Sequence, residues 1–305
     1  MGLTKGQRSE LLSRWIKPSS DNEKDQQDRA ERMVKDAIGS CSALKGVSLI
    51  VYTKGSYPNN TNVRRDSDVD VVVEMQECQY FNYRPELGTP PPQTTAPYEG
   101  VWTPQHWRNT VRGAMVDYFG ASQVDATGKI AINVAAVPGS RPSADVVPSF
   151  DYVRYNDLGR TTFDSGSCVF PSDGAAKVVN WPAQQLNNGR AKNTRTGGRY
   201  KNYVRALKNA ENTLAAAGTI KDLPSYLMEC LVFNVNDAIL QTGDLDDGFR
   251  ATLVALWSSL DEGDGYDTMV EPNWMKWLFK GHQKWTVDEA KSLVLSTWSY
   301  FGYGS

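Results

Sequence analysis

The stretch KGSYPNNTNVRRDSDVDVVV, residues 54–73, constrains this chain more than any other. Its end, VDVVV, is apolar enough for a buried strand, yet Asp66, Asp68 and Asp70 alternate through the start. Burying unpaired carboxylates is costly, so something positive must accompany them. Either Arg64 and Arg65 neutralise them, or a metal ion does. Asp68 and Asp70 occupy alternate positions of a predicted strand and therefore share a face. Two carboxylates held that close repel each other unless a cation lies between them. Mg2+ is the expected ion, since it takes one or two carboxylates together with substrate phosphates. A third carboxylate from a neighbouring strand would complete a two-ion site for phosphoryl transfer. Asp145, opening DVVPSF, is the candidate: KIAINVAAV precedes it by a short PGSRPSA connection, as antiparallel neighbours require. Gly55 and Ser56, between strand and turn, can offer backbone N–H groups and a hydroxyl to phosphate.

Elsewhere the pattern is mixed. Residues 3–16 and 20–39 read as helices, the second with an apolar stripe of Ala30, Met33, Val34, Ala37 and Ile38 and a cap at Ser19, Ser20 or Asp21. Strand patterns cover 47–53, 69–75, 129–137 and 145–153. Prolines make 84–100 a loop, and Thr103-Pro104 opens a helix over 104–119. From about residue 198 onward the chain reads as helical. Strands early and helices late predict an α+β protein, with a catalytic lobe over 1–185 and a helical lobe over 186–305 packed as one bilobed unit.

Composition excludes some classes. The formal net charge of −2 lacks the basic excess of a sequence-independent nucleic-acid binder. Four scattered cysteines and two histidines argue against a structural zinc site and suit a reducing compartment. No window is apolar enough for a membrane span and the N-terminus has no signal core, so the expected location is the cytoplasm.

GSYPNNTNVRRDSDVDVVV together with ADVVPSF resembles the signature of the bacterial CD-NTases, the cGAS/DncV-like nucleotidyltransferases. The likeness extends through VVNWPAQQLNNG, GGRYKNYVRALKNAEN, PSYLMECLVFNVND and KWTVDEA, covering residues 20–300. It implies a polymerase-beta-like mixed-sheet lobe and a C-terminal helical lobe, joined by a long N-terminal helix. It also implies that Asp68, Asp70 and Asp145 bind two Mg2+ ions, with Mn2+ as a substitute, and that Gly55 and Ser56 hold the donor triphosphate. The implied reaction joins ATP and a second NTP, with UTP the candidate, into a cyclic dinucleotide with release of pyrophosphate. Its setting would be anti-phage signalling (CBASS), reaching an effector through the product. No template or membrane is implied, and a monomer suffices. The alternatives are a template-independent transferase using an external acceptor and a catalytically silent nucleotide sensor.

Arg190, Lys192, Arg195, Arg199, Lys201, Arg205 and Lys208 crowd into 190–208 without an acidic residue. Lys201 resembles the family's lysine facing the phosphates, whereas Arg205 and Lys208 read as a solvated basic face. Asn180 in VVNWP matches the region where one clade accepts a pyrimidine; the other reading is a strand terminator. Arg64 either orients the loop over the site or meets a phosphate, or it pairs with Asp66. A tyrosine or tryptophan could stack on a base, and Tyr57 lies near that loop without being singled out for the role; His106 and His282 read as structural.

Overall fold

The computed structural model describes residues 2–18, 20–63, 68–88, 98–261, 265–281 and 283–304 of the 305. Arg64, Arg65, Asp66, Ser19, His282 and most of the proline-rich loop lie outside the described residues. The chain divides into two compact units: Ser20–Tyr57 with Arg65–Pro182, and Met1–Ser19 with Pro58–Arg64 and Ala183–Ser305. The class is α+β, with strands in the first unit and helices dominating the second.

The N-terminal helix α1 (Lys5–Trp15) belongs to the helical unit, and the sheet unit begins with α2 (Asp21–Ser40). Ser20 caps α2: its hydroxyl accepts the Glu23 N–H, and the Glu23 carboxylate accepts the Ser20 N–H. The predicted stripe is buried at Ala30, Val34, Ala37 and Ile38. The predicted helix over 104–119 is α3 (Pro104–Phe119), started by Thr103, which accepts the His106 N–H. It buries Trp107, Val111 and Met115.

The sheet contains β1 (Leu49–Thr53), β2 (Val69–Tyr83), β3 (Val124–Asp125), β4 (Ile132–Val134), β5 (Ala144–Tyr155), β6 (Phe163–Val169) and β7 (Val178–Asn180). Its order is β1-β2-β5-β4-β3, with β6 on β5 and β7 on β6. The β2–β5 pair is parallel and the other pairs are antiparallel. Alternation splits β2 into an apolar face of Val69, Val71, Val73 and Met75, all fully buried, and a second face carrying Asp70, Val72 and Glu74. α2 and α3, whose apolar stripes need such a face, both pack on the sheet.

One strand expectation changes, and two strands were not expected. KIAINVAAV contributes only the short β4, because Val137 bridges back to Arg141 in a turn. β6 and β7 have no apolar alternation to announce them. Gly166 explains β6: a Cβ there would sit 2.8 Å from the Asn180 carbonyl and from the Trp181 ring. The glycine admits β7 and Trp181 against the sheet, where Trp181 is 5 % exposed.

The helical unit comprises α1, α4 (Pro182–Arg195, from Ala183 on), α5 (Arg199–Ala216), α6 (Ser225–Asn234), α7 (Asp237–Leu240), α8 (Leu245–Asp261) and α9 (Val287–Phe301). Tyr203, Leu207, Leu231, Phe249, Leu293 and Phe301 lie in one core. The expected 185/186 boundary places both N-terminal helices with the catalytic lobe. α1 instead groups with the helices, because Leu12 enters their core and Arg8 Nε meets Asp246 at 3.0 Å. Among the described residues, no helix is long and apolar enough to cross a membrane.

Candidate active site

The decisive geometry is the register of the parallel pair. Asp70 on β2 is the Cα partner of Asp145 on β5, so two strands far apart in sequence present carboxylates side by side. Asp68 precedes β2 and is exposed; its carboxylate accepts the Ser143 hydroxyl, and the adjacent Val69 N–H donates to Ser143 O at 2.9 Å. Asp145 Oδ1 accepts the Asn133 amide at 3.0 Å from the antiparallel strand β4, where Asn133 pairs with Asp145. The expected neighbour relation of KIAINVAAV and DVVPSF is thus realised.

The turn after β1 lies directly over this pair. Lys54 N–H donates to Asp70 O at 3.0 Å. Gly55 follows with φ of 76°, in the left-handed region, and a Cβ there would sit 2.5 Å from Asp70 Oδ2. Glycine is required twice, by conformation and by close approach. Ser56 is half-buried in the same turn. Tyr57 hydrogen-bonds through its hydroxyl to Asp28 of α2, which gives this ring an anchoring role for the turn.

Burial raises the Asp70 carboxyl above its ordinary value; the charge of Lys54 opposes this, and Asp145 and Asp68 add to it. The balance at Asp70 is therefore short of positive charge. Its donors are hard carboxylate oxygens, the set that suits Mg2+ or Mn2+. Among the described residues no three His, Cys, Asp or Glu side chains are grouped so that they could hold a metal ion. Asp68 faces Ser143 and Asp145 faces Asn133 instead, hydrogen bonds that a cation would compete with.

Asn180 ends β7 and pairs with Ser167, which pairs with Asp151. Asp151 lies an even number of positions along β5 from Asp145, so Asn180 shares the face of the carboxylates. A polar row that sequence reading missed joins them. Tyr52 donates to Glu74 at 2.7 Å, Gln76 donates to Glu74 at 2.8 Å, and Gln79 donates to Asp151 at 2.6 Å. Period-two counting from Asp70 to Glu74 and from Asp145 to Asp151 was the available signal.

Lys201 lies on α5, in the helical unit rather than the sheet unit. It is half-buried, and burial followed by the charge of Arg190 lowers its ammonium pKa while Glu229 opposes the shift. The solvated basic face does not exist at Arg205 and Lys208. They are 5 % and 3 % exposed, because both turn inward among the helices. His106 is exposed on α3, its ring edge-on to Trp102.

The family described as cGAS/DncV-like nucleotidyltransferase C-terminal helical domain matches residues 187–302. A cyclic dipyrimidine nucleotide synthase, CdnE, of Legionella pneumophila is 37% identical over 95% of this chain and 97% of its own length. The chain belongs to the CD-NTase family. A CdnE of the same description from Cecembia lonarensis is 30% identical over 96% of this chain and 97% of its own length. The structure of Rhodothermus marinus CdnE c-UMP-AMP synthase with Apcpp and Upnpp superposes with a TM-score of 0.80 at 28% identity, covering 97% of this chain and 98% of that one. This CD-NTase thus has the nucleotidyltransferase fold with a C-terminal helical domain, and it is a nucleotidyltransferase.

Proposed function

We propose that this CD-NTase makes a cyclic dinucleotide from ATP and a pyrimidine nucleotide, without a template, with Asp68, Asp70 and Asp145 holding two Mg2+ ions. The observation that carries the reading is the pairing of Asp70 with Asp145 beneath the Gly55 turn. The ions, when bound, would supply the positive charge for in-line displacement at the α-phosphorus. Gly55 and Ser56 would receive the donor triphosphate through a backbone N–H and the serine hydroxyl, and Lys201, in the helical unit, would be a nucleotide-binding lysine. A ribose hydroxyl attacks the α-phosphorus, the bond to pyrophosphate breaks, and the proton passes toward Asp145. A second such step closes the ring. The pyrimidine assignment is supported by the dipyrimidine and UMP-AMP products in the names of the relatives and by Asn180 on the carboxylate face. The product would act in the cytoplasm as a signal to an effector of anti-phage defence.

Incubation with all four NTPs and Mg2+, then phosphatase and mass spectrometry, is expected to give a resistant product at the mass of a cyclic dinucleotide. EDTA is expected to abolish it, and Mn2+ to restore it. A product sensitive to phosphatase would instead mark a terminal transferase.

Asn180 carries a narrower expectation. An amide can donate to and accept from a pyrimidine edge, and losing such contacts shifts selection about tenfold. In an equimolar ATP and UTP mixture, Asn180→Ala should lower the uridine share of the product without changing the melting temperature. An unchanged product ratio would return Asn180 to a strand-ending role.

A further inference from the structure

Residues 58–64 group with the helical unit, although the chain on both sides belongs to the sheet unit. The loop begins two residues after Ser56 and leads on toward Asp68, so it ties the phosphate turn to the first carboxylate. Its main chain has an imposed shape. Asn60 has φ of 53°, a left-handed conformation that asparagine tolerates and that its surroundings help to hold.

Those surroundings are buried charges. Arg205 donates to Asn60 O at 2.6 Å, to Ile16 O at 2.6 Å and to Asn202 Oδ1 at 2.7 Å. Glu229 on α6 accepts from Thr61 Oγ1 at 3.3 Å, Asn59 Nδ2 at 3.4 Å and Gln185 Nε2 at 2.9 Å. Lys208 Nζ donates to the same Thr61 hydroxyl at 3.4 Å. Glu229, Lys208 and Thr61 are 2 %, 3 % and 1 % exposed. Buried ionic groups rarely stabilise a core better than apolar side chains of equal volume would, and their best-attested use is to fix one geometry. Here the geometry fixed is that of the loop. α5 carries Arg205 and Lys208 and, one turn before Arg205, Lys201. One helix thus both grips residues 60 and 61 and bears Lys201.

We propose that Arg205, Lys208 and Glu229 are positioning residues that hold residues 59–61 and, through them, set the Gly55–Ser56 turn for the triphosphate; the inference rests on the function proposed above. Thr61 is the point of test, since its hydroxyl joins the two buried charges to the loop. With the full chain, Thr61→Val should raise KM for the donor NTP about tenfold while kcat changes less, and Thr61→Ser should restore both. Hydrogen exchange in residues 53–57 should quicken in Thr61→Val and return to wild-type rates in Thr61→Ser. A Thr61→Val protein that melts lower but keeps wild-type KM and wild-type exchange at 53–57 would overturn the proposal. Should the wild-type chain release no pyrophosphate, the functional reading fails by itself. Exchange at 53–57 then still decides the positioning role: faster in Thr61→Val supports it, unchanged overturns it.

Discussion

Asp68→Asn combined with Asp70→Asn should abolish pyrophosphate release, by roughly 10³-fold or more, as expected when about 4 kcal/mol of transition-state stabilisation is lost. The fold should survive. Asp70 is desolvated beneath Gly55 and flanked by Asp145 and Asp68, so its carboxyl is held above the ordinary value. A carboxyl raised in the folded state binds more protons there than in the unfolded chain. Its contribution therefore becomes less favourable as pH rises from the unfolded value through the folded one, and is least favourable at neutral pH. Replacing it by a neutral amide of the same shape removes that penalty. In EDTA at neutral pH, the double variant should melt at or above the wild-type temperature. A double variant that no longer unfolds cooperatively would show that the carboxylates hold the strands, with their chemistry secondary.

Gly55→Ala should lower kcat/KM for the donor NTP by about 10²-fold, since small displacements of a positioning element cost on that scale. The left-handed φ alone costs an alanine about 1–2 kcal/mol. The added Cβ also falls 2.5 Å from Asp70 Oδ2, so either the turn or the carboxylate must move. Gly46→Ala separates the two effects. Gly46 has φ of 79°, and a methyl group there would meet nothing within 4 Å, so it bears the conformational cost alone. Gly55→Ala should melt at least as low as Gly46→Ala, and steady-state kinetics should separate the two widely. Equal activity in both would mean that contact with Asp70 has no part in catalysis.

The carboxylates were legible in the sequence as candidates because their logic is local. Asp68 and Asp70 announce themselves as charges on an apolar strand, Gly55 as a glycine before a small hydroxyl, and Asp145 as an acid opening a second apolar strand. The pairing of Asp70 with Asp145 is a long-range register: the residues alone asked for a third carboxylate on a neighbouring strand and offered Asp145, without saying which residue it would face. Features that depend on distant partners were not legible. β6 is rich in small and polar residues whose reason is Trp181, and Arg205 and Lys208 look like surface charge until the loop at 59–61 and Glu229 fold around them. Periodicity places those two basic residues on one side of α5; it does not say that the side is closed. The grouping of α1 is hidden for the same reason, since its partners, the helical core from Tyr200 onward and Asp246, arrive far later in the chain.

That late arrival bears on how the protein is made. The chain passes between the units at 19–20, 57–58, 64–65 and 182–183. A ribosome adds about 5–20 residues per second, and domains tend to fold as they emerge. The sheet unit can thus assemble once residue 182 is out, with its carboxylates in register. α1 and the loop at 58–64 must wait for α5, α6 and α8 before they find their buried partners. A growing chain therefore carries the acids early and the grip on their neighbouring loop late. A prematurely terminated product would hold the first without the second.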